Sequence, residues 1–260
     1  RICQEEEIHR RMRHKNIVSL IGRGGDDNTL VFEYIDGNNL QEYIQNNYPI
    51  SICEIRRLIS EILSAVHYIH RKGIVHGDLK TSNILLQLPE KRVKVCDFGA
   101  SADIGRKNFI EIDSTKLVMG TVLYSAPECI LSNPEGKYRL GFMSDIYQIG
   151  LILYELVSGK TPHQDIATNS SSIFDVIGKL QNKYASQKML EIPFEMCQNA
   201  QLVDFFNKCI ECDYRKRPTT RDLLNHSFLC TESDVEERKY LTRFSRLSSI
   251  SSFASSVGKI

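Results

Sequence analysis

The segment HGDLKTSNILL, residues 76–86, gathers a carboxylate, an ammonium and an amide in one short stretch: Asp78, Lys80 and Asn83. A helix-like pattern precedes it and a strand-like pattern follows it. Chemically active side chains are often carried on such loops, because the flanking regular elements hold them in place. The segment therefore predicts a functional loop between a helix and a strand.

Two helices stand out on either side of this loop. Residues 51–72 begin with Ser51 and Glu54 in the S-x-x-E pattern of a capping box and end before Gly73, a typical helix-terminating glycine. One apolar face is predicted from the spacing of Ile52, Ile55, Ile59, Ile62, Leu63 and Val66. Residues 144–158 are apolar on nearly all sides, which predicts a helix at the centre of a domain.

Strand patterns predict two hairpins. Residues 16–22 and 28–35 are separated by turn residues, and a charged, helix-prone segment, residues 1–13, precedes them. Residues 83–88 and 92–96 form the second predicted hairpin, which runs directly into Asp97-Phe98-Gly99. This hairpin can bring the functional loop and Asp97 to one end of the molecule.

The grouped side chains suit phosphoryl transfer. Asn83 and Asp97 offer oxygen ligands of the kind that Mg²⁺ prefers when phosphates supply much of the remaining shell. Asp78 can orient a hydroxyl group and accept its proton, and Lys80 can neutralise charge on a moving phosphoryl group. Such chemistry depends mostly on positioning and electrostatics.

Composition limits the alternatives. The chain has 260 residues, 42% hydrophobic, with a formal net charge of +1, so bulk charge indicates neither a nucleic-acid nor a membrane partner. Eight scattered cysteines favour reduced thiols and a cytoplasmic location. Cys209 and Cys212 lack a second metal-ligand pair, and packed helix residues are the favoured interpretation over a metal or redox site. No apolar run is long enough to predict a membrane span.

The order of the motifs resembles that of eukaryotic protein kinases. The chain has His76-Gly77-Asp78-Leu79-Lys80 with Asn83 at kinase spacing, then Asp97-Phe98-Gly99 and Ala126-Pro127-Glu128. Asp145 opens the apolar helix, and Arg217 follows near the end of the helical region. The resemblance implies an α+β, protein-kinase-like fold, mainly the helical C-terminal lobe, in which Glu128 and Arg217 form a buried ion pair.

The resemblance also implies roles for the loop and its surroundings. Asp78 would be the catalytic base and Lys80 the residue that neutralises the transferred phosphate, while Asn83 and Asp97 would bind magnesium. Lys80 and Thr121 are similar to their counterparts in serine/threonine kinases. The implied cofactors are therefore ATP and Mg²⁺, and the implied partners are protein substrates.

Two further elements of a nucleotide site follow from the same resemblance. Phe32 to Ile35 resembles the gatekeeper and hinge, where backbone groups of Glu33 and Ile35 would meet adenine. Glu5 matches the glutamate of helix C. Glu6 and Glu7 adjoin it, so a solvated charge run remains the alternative interpretation of this segment.

The sequence departs from the family at Gly77, where most kinases have arginine. That arginine contacts a phosphate on the activation segment, so Ser114 and Thr115 are expected to lack this partner. Arg106 or Lys107 could take over the role.

A second departure is that neither a glycine-rich loop nor a phosphate-anchoring lysine precedes Glu5. The expected organisation is a partial N-terminal lobe at residues 1–35, a C-terminal lobe at 36–230 and a disordered serine-rich tail at 231–260. We expect a fragment of a longer kinase; the alternative is a non-catalytic, kinase-like binding module.

Overall fold

The computed structural model describes residues 2–25, 29–112, 122–187, 190, 193 and 198–230. The helices are α1 (Ile2–Arg10), α2 (Leu40–Asn47), α3 (Ile52–Arg71), α4 (Pro127–Ile130), α5 (Phe142–Ser158), α6 (Gln164–Thr168), α7 (Ile173–Ala185), α8 (Ala200–Cys209) and α9 (Thr220–Leu224). The strands are β1 (Leu20–Arg23), β2 (Leu30–Phe32), β3 (Gly37–Asn39), β4 (Ile74–Val75), β5 (Ile84–Gln87), β6 (Arg92–Val95), β7 (Ala102–Asp103), β8 (Phe109–Ile112) and β9 (Tyr138–Gly141). Short antiparallel sheets and many helices give the predicted α+β fold.

Helix α5 lies at the centre of the core, as its uniform apolarity predicted. Nearly all of its side chains are buried, including the carboxylates of Asp145 and Glu155. It begins at Phe142, two residues before the predicted start, and ends at Gly159 in the left-handed conformation with φ of 68°. The sequence pattern therefore located this helix and its surroundings correctly.

Helix α3 packs its predicted apolar face against α5, α9 and β6. Ser51 caps its first turn by accepting a hydrogen bond from the Glu54 amide. The reciprocal half of the predicted capping box does not form, because the Glu54 carboxylate pairs with Arg57 at 2.8 Å. Gly73 follows the helix with φ of 77°, a conformation that favours glycine.

Both predicted hairpins are confirmed. β1 pairs with β2 and β5 pairs with β6, each antiparallel, although residues 26–28 of the first turn lie outside the described residues. The strands of two to four residues elsewhere, β3, β4, β7, β8 and β9, were not predicted. Their partners are distant in sequence, so local periodicity carries little signal for them.

The first helix and hairpin attach to the rest of the fold through β6. The Val95 amide donates to the Asn16 carbonyl at 2.8 Å, and the Val18 amide donates to the Val95 carbonyl at 2.9 Å. Ile17, between them, is buried. This attachment holds α1 above the end of the β5–β6 hairpin, where the functional loop lies. The predicted tail at 231–260 lies outside the described residues.

Candidate active site

The functional loop is held by the first turn of α5. The two carboxylate oxygens of Asp145 accept the backbone amides of His76 and Gly77, each at 2.9 Å. The His70 ring contacts the same carboxylate at 2.7 Å. A buried carboxylate that accepts several hydrogen bonds fixes the backbone that donates them. The loop backbone is thus positioned by the most buried helix of the fold.

His76 connects the loop to the strand that leads into Asp97. Its Nδ1 accepts the Asp78 amide at 3.3 Å, and its Nε2 lies 3.1 Å from the Cys96 carbonyl, to which it donates. Burial lowers the pKa of His76, which agrees with the neutral ring that this pattern requires. His76 is therefore a structural residue beneath the candidate catalytic groups.

The predicted catalytic and metal-binding side chains of the loop are in direct contact. Lys80 Nζ donates to Asp78 Oδ2 at 2.8 Å. Asn83 Nδ2 donates to the Asp78 carbonyl at 2.8 Å and to its Oδ2 at 3.2 Å. Asp78 is 5% exposed, so its carboxylate is buried and its polar neighbours fix its orientation.

Asp97 lies at the same end of the β5–β6 hairpin. The Cys96 amide donates to the Asn83 carbonyl at 3.0 Å, which joins the two segments one residue before Asp97. Asp97 is exposed and adopts φ of 63°, which is strained for a residue other than glycine. Strained backbone of this kind often occurs where a side chain must point at a ligand.

The residues present fit a magnesium ion. Because Asn83 Nδ2 donates to Asp78, the amide oxygen of Asn83 is oriented away from that residue, and the Asp97 carboxylate is exposed nearby. Both are hard oxygen ligands. Among the described residues no group of three or more histidine, cysteine or acidic side chains could hold a metal. A site with two protein ligands suits an ion that phosphates bind as well.

The structure separates the three glutamates of α1. A Cβ atom built at Gly99 would lie 3.8 Å from Glu5 Oε2 and 3.1 Å from Asp97 Oδ1, which places the Glu5 carboxylate beside the Asp-Phe-Gly motif. Glu6 is buried and pairs with Arg10 and Arg23, contacts that lower its pKa to about 2. Glu7 is exposed. Of the three, Glu5 is the one that lies beside the Asp-Phe-Gly motif, and its assignment as the helix C glutamate stays a prediction.

The predicted hinge lies between β2 and β3. The Glu33 amide donates to the Ser19 carbonyl at 2.9 Å, so its carbonyl is the group available for a ligand. Its carboxylate accepts Lys94 Nζ at 2.8 Å. Ile35 is buried and Tyr34 is exposed, so neighbouring side chains of this segment point in opposite directions.

A stack of aromatic and histidine rings near the site was not predicted from the sequence. A stack of rings runs upward from the loop, with His76 and Phe98 4.9 Å apart, Phe98 and His9 4.5 Å apart, and His9 and Phe32 4.8 Å apart. His9 is 2% exposed, and both of its ring nitrogens lack a hydrogen-bond partner among the residues that the structure describes. Its position four residues after Glu5, on the same helix face, was the available signal.

A second missed network lies under the loop. Thr81 Oγ1 donates to Glu155 at 2.9 Å, and the Tyr124 hydroxyl donates to the same carboxylate. Burial raises the pKa of Glu155. The network ties the loop to the segment before Ala126-Pro127-Glu128.

The buried ion pair between Glu128 and Arg217, which the family resemblance implied for the C-terminal lobe, is confirmed. Arg217 contacts both oxygens of Glu128 at 2.8 Å, with both side chains buried. The Arg217 guanidinium also donates to the Met143 carbonyl at 2.7 Å, at the start of α5. The pair therefore joins α4 to the central helix.

Comparisons with known proteins agree with this geometry. The family model described as "Protein kinase domain" matches residues 1–229. Mitogen-activated protein kinase kinase kinase A of Dictyostelium discoideum is 31% identical over 234 residues, 89% of this chain and 23% of that protein. Mitogen-activated protein kinase kinase kinase 2 of Arabidopsis thaliana is 28% identical over 245 residues, 93% of this chain and 35% of that protein.

Sperm motility kinase 2B of Mus musculus is 29% identical over 238 residues, 90% of this chain and 44% of that protein. The chain thus spans less than half the length of these relatives. The family match covers the loop, the Asp-Phe-Gly motif and the Glu128–Arg217 pair together. This chain belongs to the protein kinase family.

Proposed function

We propose that the protein is an ATP- and Mg²⁺-dependent protein kinase that phosphorylates serine and threonine hydroxyls. The observation that supports this most is the contact of Asp78 with both Lys80 and Asn83, on a loop anchored to α5 by Asp145. A proton acceptor, a cation and an oxygen ligand are thereby fixed relative to each other without substrate. Such preorganisation is the main source of rate enhancement in phosphoryl transfer.

In the proposed reaction the substrate hydroxyl attacks the γ-phosphorus of ATP, and the bond between that phosphorus and the β–γ bridging oxygen breaks to release ADP. Asp78 accepts the hydroxyl proton, and Lys80 offsets charge on the phosphoryl oxygens as they transfer. Asn83 and Asp97 would hold magnesium, which, when bound, neutralises charge on the phosphates. Glu33, Ile35 and Glu5 would bind and orient the nucleotide.

The preference for serine and threonine rests on Lys80 and on the names of relatives. Probable serine/threonine-protein kinase mkcE of Dictyostelium discoideum is 28% identical over 236 residues. Thr121, the second residue used for this assignment, lies outside the described residues. Protein substrates and a cytoplasmic location belong to the same proposal. Among the described helices none is long and apolar enough to cross a membrane.

The test is transfer of radiolabelled γ-phosphate from ATP by the full-length polypeptide to a peptide mixture that contains serine, threonine and tyrosine. We expect phosphoserine and phosphothreonine, and loss of transfer when EDTA removes magnesium. Phosphotyrosine alone would overturn the specificity. Absence of transfer by a folded full-length polypeptide that binds ATP would favour the non-catalytic module.

A further inference from the structure

The space beside Gly77 is filled by the Ala100 backbone carbonyl and by the apolar side chain of Leu140. Gly77 has φ of 80°, and a Cβ atom built there would lie 2.9 Å from the Ala100 carbonyl and 3.6 Å from Leu140 Cδ2. Leu140 belongs to β9. It packs in a small apolar cluster of six side chains: Val75, Ala102, Ile104, Ile110, Leu140 and Phe142. The neighbourhood of the missing arginine is therefore apolar and closely packed.

This cluster joins the segment after Asp-Phe-Gly to the strand before α5. β8 pairs with β9 antiparallel, with Ile110 opposite Leu140 and Phe109 opposite Gly141. A Cβ atom at Gly141 would lie 2.4 Å from the Asn108 carbonyl and 2.9 Å from Phe109 Cβ. Only glycine permits so close an approach. Because Gly141 also caps α5, β8 is paired with a strand that continues directly into the central helix.

On the other face of the paired strands β8 and β9, a cation lies between two aromatic rings. The Arg139 guanidinium lies 5.0 Å from the Phe109 ring centroid and 5.9 Å from that of Tyr214. Its Nη1 donates to the Tyr214 hydroxyl at 3.3 Å. Its Nε is buried without a hydrogen-bond partner among the described residues. Burial of this Nε is unfavourable. The contacts with the two aromatic rings are therefore the main interactions that offset this cost and hold the Arg139 side chain.

Charge contributes little to the same ribbon. Lys137 lies 3.4 Å from Glu111, and Asn133 Nδ2 donates to Glu111 at 3.3 Å. The Lys137 and Glu111 side chains are 48% and 33% exposed. An ion pair of this exposure is worth about 0–1 kcal/mol. Lys137 therefore provides a matched basic control, two residues from Arg139 and immediately before β9.

We propose that Arg139 and Leu140 are positioning residues that anchor the segment after Asp-Phe-Gly to α5, so that apolar packing and a cation–π contact order it without a phosphate. Leu140 packs beside the catalytic loop at Gly77, and Arg139 clamps Phe109 on the opposite face. Residues 109–112 are thereby fixed upstream of Ser114 and Thr115. The significance of this anchor for catalysis rests on the proposed kinase function; its existence does not.

Hydrogen–deuterium exchange on the 260-residue chain tests the anchor without any activity measurement. In Arg139→Ala we expect the amides of residues 109–112 to exchange faster by about tenfold or more, with α3 and α5 unchanged. Arg139→Lys, which keeps a cation near the Phe109 ring, should recover most of the protection. Lys137→Ala should change exchange by less than about threefold.

Leu140→Ala tests the apolar face separately, and Phe109→Ala tests the partner of Arg139. If Phe109 and Arg139 act together, the double variant should exchange no faster than the more affected single variant. Protection of residues 109–112 that stays within about twofold of wild type in both Arg139→Ala and Leu140→Ala would overturn the anchor. Equal acceleration in all elements would also overturn it, since Arg139 would then contribute only to global stability.

Kinetic measurements on the full-length polypeptide then distinguish an anchor that positions the segment after Asp-Phe-Gly from one that only stabilises the fold. Arg139→Ala should raise the KM for peptide while the KM for ATP stays near wild type, and Arg139→Lys should restore it. Equal changes in both constants would contradict the positioning role. Lack of transfer by wild type would contradict the proposed kinase function and leave the exchange result standing.

Discussion

The catalytic loop and the helix above it are held by different kinds of contact. At the loop, buried side chains of α5 accept backbone amides, so Asp145 and Gln148 fix the chain from His76 to Leu79. Above it, α1 meets the loop through a ring stack in which His9 makes no hydrogen bond to any described residue. Hydrogen bonds of this kind are directional, whereas the stack depends on packing alone.

The difference indicates where each part of the site obtains its order. The backbone of Asp78 and Asn83 is held by contacts from the loop itself and from Cys96, which follows β6. The position of Glu5 depends on how α1 packs on Phe98 and on the neighbouring Gln4 side chain, which donates to the Ser101 carbonyl at 3.2 Å. We therefore expect substitutions among the polar contacts that hold the loop and α5 to lower the unfolding free energy. Substitutions in the ring stack can raise or lower it.

The largest loss of stability is expected from Glu128→Gln. The substitution leaves the Arg217 guanidinium buried without its carboxylate, which costs about 3–5 kcal/mol of unfolding free energy. Urea denaturation measures it. Asp204→Asn, on the exposed face of α8, is the matched control and should change stability by less than about 1 kcal/mol. Equal effects of the two substitutions would mean that the buried pair does not brace the lower lobe.

Asp145→Asn should lower the unfolding free energy by about 1–3 kcal/mol. Asparagine retains one acceptor oxygen, so one of the two amides from His76 and Gly77 loses its partner. Exchange protection of these two amides should fall more than that of the β5–β6 ladder. If both amides stayed as protected as in wild type, the loop would be held by something other than this carboxylate.

His9→Leu should stabilise the protein by about 1–3 kcal/mol at neutral pH, because it removes two buried nitrogens without partners. Burial lowers the pKa of His9 to about 4, so between pH 6.5 and 4 the unfolded chain binds more protons than the folded one. Wild-type stability therefore decreases as the pH is lowered across this window, and the advantage of His9→Leu should grow by about 2 kcal/mol at about pH 5.

Urea titrations at the two pH values measure this difference. His163→Leu is the matched control, because His163 is buried but its nitrogens contact Tyr184 and Lys183. That variant should be less stable than wild type at neutral pH. A destabilised His9→Leu protein would show that the His9 ring has a polar partner and that the stack is not held by packing alone.

The smallest effect is expected from replacing Ser114 and Thr115 together by alanine. These residues lie outside the described part of the chain, and the expectation rests on Gly77 and on the apolar cluster beside it. Peptide phosphorylation by the full-length polypeptide should stay within about tenfold of wild type, or about 1.4 kcal/mol of transition-state free energy. A larger loss would mean that segment phosphates find another basic partner, such as Arg106 or Lys107.

The sequence identified the lower part of the site better than the upper part. The composition of α5 and the capping and termination signals of α3 are local, so both helices were predicted to within two residues. Motif order placed Asp78, Asn83 and Asp97 at one end of a hairpin. The family resemblance implied the Glu128–Arg217 pair, and the structure confirms it.

The features that escaped prediction depend on contacts between distant segments. β8 and β9 become strands only because each supplies the other's hydrogen bonds, across more than twenty residues of chain. In the sequence, His9 is one of several polar residues in a charged helix. Its burial follows from packing on Phe98 and Phe32. β8 and β9 have no periodic signature in the sequence, and the signal for His9 was limited to its position four residues after Glu5 on one helix face.

The assignment of Asp78 as the proton acceptor is tested most directly by Asp78→Asn in the full-length polypeptide. Asparagine preserves the size of the side chain but removes its basicity and its ion pair with Lys80, so peptide phosphorylation should fall by about 10²-fold or more while the melting temperature stays near wild type. Asp204→Asn should leave transfer unchanged. Transfer by Asp78→Asn within a few-fold of wild type would contradict the role of Asp78 and with it the proposed mechanism.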